Sequence, residues 1–390
     1  MGASGCETSA SPLTYESVLA AAERYVEGLA KPPGALGGLE AMACRLWALQ
    51  RAHVTAGGVS GAAAGDAADL GTPSVIERPS PTVRSPTLLV FAADHGSLLK
   101  DPSLSAFPRA VTAAMFATVA GGGAACTALA RAHGVEVVLT DVGVDHDLAE
   151  TTSKAAGVRV VHDKVMPHGT RDAVNEPAMR PEECRAAMAV GAKRVDEAVS
   201  GEEGATVVCL GELGLGNTTA AAALLAGLTG SPAAEVTGAG TGVTGEALTH
   251  KTSAVALAVT QGASVAETEG AFGWLRAVGG LELAAMAGAA LRARELGVAV
   301  VVDGFIAGTA ALAAVGMDES VAQCLFMSHV SAERGAETLR DALVAKGAGP
   351  PPLHLGMRLG EGTGAVLAVP LLRAAAAVFN MATLASVLES

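Results

Sequence analysis

Aromatic residues are scarce in this chain of 390 residues: Phe, Trp and Tyr make up 3% of it, with two tryptophans and two tyrosines. The core is therefore built from small aliphatic side chains, alanine being roughly a fifth of the total, and its elements must approach closely to fill space. Positive charge is short as well. Lys plus Arg is 26 against 39 for Asp plus Glu, a formal net charge of −13. Such a surface repels nucleic-acid phosphates and anionic membranes, which disfavours both as partners. Six cysteines, Cys6, Cys44, Cys126, Cys184, Cys209 and Cys324, contain no Cys-x-x-Cys, and nine histidines contain no HExxH or i, i+4 pair. A disulfide framework, a zinc ribbon and a zinc protease are disfavoured, and a reducing, cytoplasmic location is expected. The mean hydropathy of +0.41 is inflated by alanine. No run of about 18 strongly apolar, uncharged residues stands out, so no membrane span is expected. The first 17 residues show neither an apolar leader core nor an Arg-rich amphipathic helix. Gly2 opens a near match to a myristoylation signal, with Cys6 where that signal has Ser or Thr.

What is present has a rhythm. Apolar runs of strand length recur at 87–91, 135–140, 158–161, 206–210, 298–302, 324–327 and 353–357. Alanine-rich stretches of helical character lie between them, for example 219–228, 254–259 and 281–296. Uninterrupted apolar strands alternating with helices indicate a mostly parallel sheet covered on both faces, so the expected fold class is α/β, doubly wound and Rossmann-like. Helix signals at 15–29 and 39–51 precede the first strand and one at 371–379 follows the last. The organisation expected is an N-terminal helical segment 1–53, a Gly/Ala/Ser/Pro-rich flexible insertion 54–86, an α/β catalytic domain 87–370, and a C-terminal helix 371–390. The two end segments together are expected to make a small helical subdomain.

Ligands of open α/β sheets bind outside the carboxyl ends of the strands. The residues there are polar and glycine-rich: Asp94-His95-Gly96, Asp141-Val142-Gly143, Gly211-Glu212-Leu213-Gly214, Asp303-Gly304, Ser328-His329 and residues 358–364. The segment 211–219, GELGLGNTT, reads two ways: as an anion cradle at a helix start, or as a tight turn with a polar cap. It has neither the Walker spacing nor the full GxGxxG. Lys251, after the glycine cluster TGAGTG at 237–242, either reaches a phosphate or is a solvated lysine near a helix start. Asp303 is followed by Gly304 where a pyrophosphate-dependent ribosyl site needs a second acid, which disfavours magnesium-pyrophosphate chemistry. Glu361, between two glycines, is either a general base in a cleft or a complement to the following helix dipole. His95 and His329, taken singly, read as structural hydrogen-bonding residues.

Taken in order, KPPGALGGLE at 31–40, ADHG at 93–96, SAFP at 105–108, GGAA at 122–125, DVGV at 141–144, EPAM at 176–179, GELGLGNTT, TGAGTG, VDGFI at 302–306, SHVSAE at 328–333 and RLGEGTGA at 358–365 form one set. The set resembles the nicotinate-nucleotide–dimethylbenzimidazole phosphoribosyltransferases of cobalamin synthesis, over nearly the whole chain apart from its first dozen residues and the 54–86 insertion. The resemblance implies a pentosyltransferase that moves the 5-phosphoribosyl group of nicotinate mononucleotide to 5,6-dimethylbenzimidazole. The products are α-ribazole 5′-phosphate and nicotinate, and no metal or other cofactor is needed. It further implies a homodimer, with no nucleic acid and no membrane span.

Carried over by resemblance, Glu361 is the base and Glu212 stabilises charge on the ribose. The phosphate lies at Gly214, Gly216, Asn217 and Thr218, with Lys251 and Ser331 near. Gly240 and Gly304 give close backbone approach to ribose or nicotinate, Ser105, Met115, Leu359 and Glu361 surround the benzimidazole, and Leu213 and Asp303 are further substrate-binding residues. Two positions depart from the family pattern. Ala114 stands where glutamine is frequent, which leaves the acceptor base open, and Ala35 replaces a usual serine. The alternatives are a relative that uses another base, a nucleotide-binding homologue without catalysis, and a nicotinamide-dependent dehydrogenase. The last needs GxGxxG after the first strand, where this chain has Ala93-Asp94-His95-Gly96.

Overall fold

The computed structural model describes residues 14–55, 80–201 and 203–389. The core of the expected insertion, 56–79, lies outside them; at its edges the second helix runs on to Thr55, and Thr82 exchanges two hydrogen bonds with Gln50.

The chain divides into two units, Met1–Thr82 with Leu372–Ser390, and Val83–Leu371. The first contains α1 (Tyr15–Glu27) and α2 (Gly38–Thr55). Thr14 and Ser17 form a reciprocal capping box that starts α1, satisfying backbone N–H groups the helix itself leaves open. Phe379 stacks between Tyr25 and Trp47, with ring centroids 5.5 and 5.6 Å away. A bridge from Leu29 to Thr383 ties the two ends of the chain into one helical unit.

The second unit opens with β1 (Thr87–Ala93), α3 (Gly96–Lys100), α4 (Val111–Ala120), α5 (Ala125–Ala132), β2 (Glu136–Gly143), β3 (Val158–His162), α6 (Pro181–Val199) and β4 (Val207–Leu213). It continues through α7 (Asn217–Thr229), α8 (Ala233–Val236), α9 (Gly245–Val278), α10 (Leu281–Glu295), β5 (Ala299–Val302), α11 (Phe305–Met317), β6 (Leu325–Met327), α12 (Ala336–Ala345) and the first part of α13 (Thr363–Ala377), which from Leu372 on is counted with the first unit. A last short helix, α14 (Leu384–Leu388), belongs to the first unit. All strand pairs are parallel and the order is β3-β2-β1-β4-β5-β6. The winding reverses between β1 and β4, so the crevice beyond their carboxyl ends is where a ligand belongs.

Small residues let helices meet backbone to backbone. A Cβ on Gly191 of α6 would sit 1.8 Å from the Ala285 carbonyl of α10, and one on Gly288 would sit 2.1 Å from that of Met188. Gly227 of α7 instead makes room for a side chain, the indole of Trp274 in α9 lying 2.5 Å from where a Cβ would stand. Cys44, Cys126, Cys184, Cys209 and Cys324 are free thiols, all buried.

Three expectations are corrected. Residues 353–357 do not form a strand: Pro350, Pro351 and Pro352 lack N–H donors on the approach, and Leu353 makes a single bridge to His329. The helix containing 254–259 is much longer, spanning Gly245–Val278 with a kink at Gly270. Two segments, Val111–Ala132 and Thr363–Asn380, do reach a mean hydropathy of 1.5 over a span's length. Alanine lifts both values. The first is two helices parted by Gly121, Gly122 and Gly123, the second carries Pro370 and Arg373, and a core helix meets the same test.

Candidate functional site

Beyond the end of β4 the chain turns through Gly214, Leu215 and Gly216 into α7. A Cβ on Gly214 would lie 2.0 Å from the Ala93 carbonyl of β1, so only glycine lets the turn press onto the neighbouring strand. Gly216 has φ of 93° and caps α7 without a side chain, leaving the first N–H groups of that helix facing outward. The turn is held from beneath. Leu215 N donates to Thr112 Oγ1 at 3.2 Å, and that hydroxyl donates to Asp94 Oδ1 at 2.7 Å. His95 packs under Gly216 and pairs with Glu282 Oε1 at 2.8 Å, both side chains buried.

Lys251 is not solvated. It lies in the second turn of α9, 1% exposed, and donates to Thr218 Oγ1 at 2.9 Å and the Gly238 carbonyl at 3.1 Å. Burial pulls its ammonium down to about 8, against the attraction of Glu333. Gly240 closes over this pair: with φ of 54°, it would place a Cβ 2.5 Å from Thr218 Oγ1 and 2.8 Å from Lys251 Nζ. Arg358 donates to the Gly240 carbonyl at 3.1 Å. Next to it, Thr241 Oγ1 accepts from Ala106 N at 2.9 Å and meets Ser105 Oγ at 3.0 Å. One helix N-terminus and a buried ammonium thus converge on the same small region, an arrangement suited to an anion.

Opposite it stands a cluster of acids. Glu361 is buried at φ of 61°, between Gly360 and Gly362, which also have positive φ. Its backbone crosses Gly211 of β4, where a Cβ would approach within 2.8 Å. Burial pushes the Glu361 carboxyl up, Cys126 holds it back by hydrogen bonding, and among the described residues Oε2 has no hydrogen-bond partner. Glu212 accepts from Asn217 Nδ2 and from Glu361 N; burial, then Asp303, Glu282 and Glu361, push its carboxyl well up. Asp303 accepts from the N–H groups of Gly362, Gly364 and Ala365 at 3.2, 2.6 and 3.1 Å, so it anchors the start of α13 and the Glu361 loop. Burial raises its carboxyl, while His329 and those N–H groups oppose the rise.

These groups share one cleft of about 670 Å³. Met115, Glu212, Leu213, Gly214, Asn217, Thr218, Gly240, Asp303, Gly304, Ser331, Leu359 and Glu361 all line it. Ser105, Gly216 and Lys251 stand behind the lining and hold residues that do. Phe107, Val111, Leu215 and Phe305 give it an apolar wall, and Thr241, His329, Glu333 and Arg358 add polar edges that the sequence reading did not assign to the site. A second hollow, at the amino ends of β1–β3, is lined by Glu136, Glu197 and Glu203 against Arg159, itself paired with Glu197, which suits an anion poorly.

A family model described as a phosphoribosyltransferase matches residues 12–387. A nicotinate-nucleotide–dimethylbenzimidazole phosphoribosyltransferase of Chromobacterium violaceum is 40% identical over 376 residues, covering 96% of each chain. The protein of that name from Deinococcus radiodurans is 41% identical over 375 residues, covering 95% of this chain and 90% of its own length. The solved structure of the same-named protein of Thermus thermophilus matches with a TM-score of 0.79 and 38% identity, over 96% of this chain and 98% of that one.

Proposed function

The chain belongs to the nicotinate-nucleotide–dimethylbenzimidazole phosphoribosyltransferase family, and from that we infer that its cleft transfers the 5-phosphoribosyl group of nicotinate mononucleotide to a benzimidazole base. The observation that carries this reading is the placement of an anion cradle and an apolar wall around one set of buried carboxyls. The nucleotide phosphate meets the start of α7, with Lys251 and Gly240 behind and Ser331 nearby. The benzimidazole slides between Met115, Leu359 and Phe107. The C1′–nitrogen bond to the pyridinium breaks and its electron pair goes to that nitrogen, so nicotinate leaves without a proton. A new bond joins C1′ to a benzimidazole nitrogen from the opposite face, with inversion, and Glu361 accepts the proton the ring gives up. Three carboxyls in one buried patch repel one another when ionised. A ribosyl group turning cationic relieves that repulsion, and Glu212 and Asp303 are the acids beside it. The same reading takes the protein as a cytoplasmic homodimer; exposed Leu99, Leu257 and Leu355 are apolar surface that a second copy would cover.

Purified protein mixed with nicotinate mononucleotide and 5,6-dimethylbenzimidazole, benzimidazole or adenine should release nicotinate and form a base ribotide, identified by mass. The apolar wall favours the benzimidazoles. Nicotinate release without any base-linked product overturns the reading. Lys251→Ala is expected to raise the KM for the nucleotide more than it lowers kcat, the mark of an interaction made equally in ground and transition states. In the native protein kcat/KM for the nucleotide should fall as the pH climbs through about 8, where Lys251 loses its charge. The variant should lack that limb. A rise in the acceptor's KM alone would remove Lys251 from the phosphate.

A further inference from the structure

We propose that His329 is a substrate-contacting residue whose Nε2 accepts a hydrogen bond from a ribose hydroxyl of the nucleotide. The proposal rests on the reading of the cleft as a nucleotide site. The proton positions follow from one short contact. Ser328 Oγ lies 2.7 Å from the Asp303 carbonyl, which only accepts, so the single hydroxyl proton points there. The same oxygen lies 3.0 Å from His329 Nδ1, and with its proton committed it accepts. Nδ1 therefore carries a hydrogen, and in the neutral ring Nε2 presents a lone pair.

The ring is fixed in place. Its Nδ1 edge fills the space a Cβ on Gly364 would take, at 2.1 Å, and its Nε2 edge lies over Gly304, 3.5 Å from where a Cβ would be. Gly304, His329 and Ser331 all face the cleft, and His329 is 6% exposed. Among the described residues no protein group hydrogen-bonds to Nε2. The anchored Asp303 carboxylate, 4.0 Å from Nδ1 on the other side of the ring, accepts hydrogen bonds as well. This part of the cleft therefore calls for a donor. The phosphate and the nicotinate carboxylate of the nucleotide carry none at neutral pH, and the proton of the acceptor ring is directed to Glu361. The ribose hydroxyls are the donors that remain.

The test measures binding of nicotinate mononucleotide and its 2′-deoxy and 3′-deoxy analogues by calorimetry. His329→Asn keeps a donor in the Nδ1 position for Ser328 and removes Nε2; His329→Gln instead offers an amide oxygen near the Nε2 position. The native protein should bind one deoxy analogue about tenfold more weakly, the scale of one net hydrogen bond. That penalty should vanish in His329→Asn and return in part in His329→Gln. Equal binding of both analogues by the native protein, or a penalty unchanged in His329→Asn, overturns the proposal. Failure of the family reading shows separately, as nucleotide binding without transfer to any base.

Discussion

Glu361→Gln is expected to lower kcat by about 10²–10⁴-fold, the range that general-base catalysis supplies, with little change in nucleotide affinity. The amide keeps the size of the carboxyl but takes no proton. Among the described residues nothing hydrogen-bonds to one oxygen of the buried Glu361, and burial raises its carboxyl. The active form is the ionised one, so the native rate should fall as the pH drops through the carboxyl's value, closer to neutrality than for an exposed glutamate. The acid limb should be missing from the residual activity of the variant. Glu212→Gln should cost less, since stabilising charge leaves the proton path intact. If Glu212→Gln is dead while Glu361→Gln turns over normally, the two roles are exchanged.

Glu282→Ala should destabilise the fold by about 3–5 kcal/mol, because it strips the partner from a buried ion pair. Glu282 has no exposed surface and His95 is almost as deep. Burial alone would lower the imidazole, but Glu282 and then Asp94 raise it above the ordinary histidine value. A raised folded-state value gives stability that is complete below about 6.5, the value in an unfolded chain. It is lost as the pH climbs through the folded one. In the variant an unpaired, buried His95 favours its neutral form, so this contribution should instead grow as the pH rises. Urea midpoints for both proteins between pH 5 and 9 give the answer. Coincident curves would mean that the pair contributes nothing to folding, and displaced but parallel ones that its contribution does not depend on the charge of His95.

How far the sequence reaches differs from element to element. The strands β1 to β6 were legible because each is an apolar run ending in a polar or glycine turn, and β1 and β4 are buried along their whole lengths. Residues 353–357 look the same in composition, but three prolines and an exposed Leu355 keep them out of the sheet. The glycine turn and Glu361 announced themselves through flanking glycines, since left-handed backbone at 360–362 calls for them. Of the two readings of Lys251, burial excludes the solvated one, and the sequence holds a signal for that. The lysine precedes Ala254, Val255, Ala258, Gly262 and Ala266, all buried, and falls on the same helical stripe. His95 and Glu282 carry no such mark, being 187 positions apart and joined only by the fold. The proton on His329 depends on a carbonyl 25 residues before its neighbour Ser328, which no local pattern encodes.

The scarcity of aromatic side chains has a practical consequence. The chain holds two tryptophans, and each unit owns one. Trp47 lies in the helical unit against Phe379, and Trp274 in the sheet unit against Gly227. Replacing either with phenylalanine leaves a single indole whose emission reports one unit alone. Fluorescence melts of the two single-tryptophan proteins would show whether the ends of the chain and the nucleotide-binding sheet lose their structure together or in turn. Nicotinate mononucleotide, which binds the sheet unit in the reading above, should then delay the Trp274 transition and shift that of Trp47 only as far as the two are coupled.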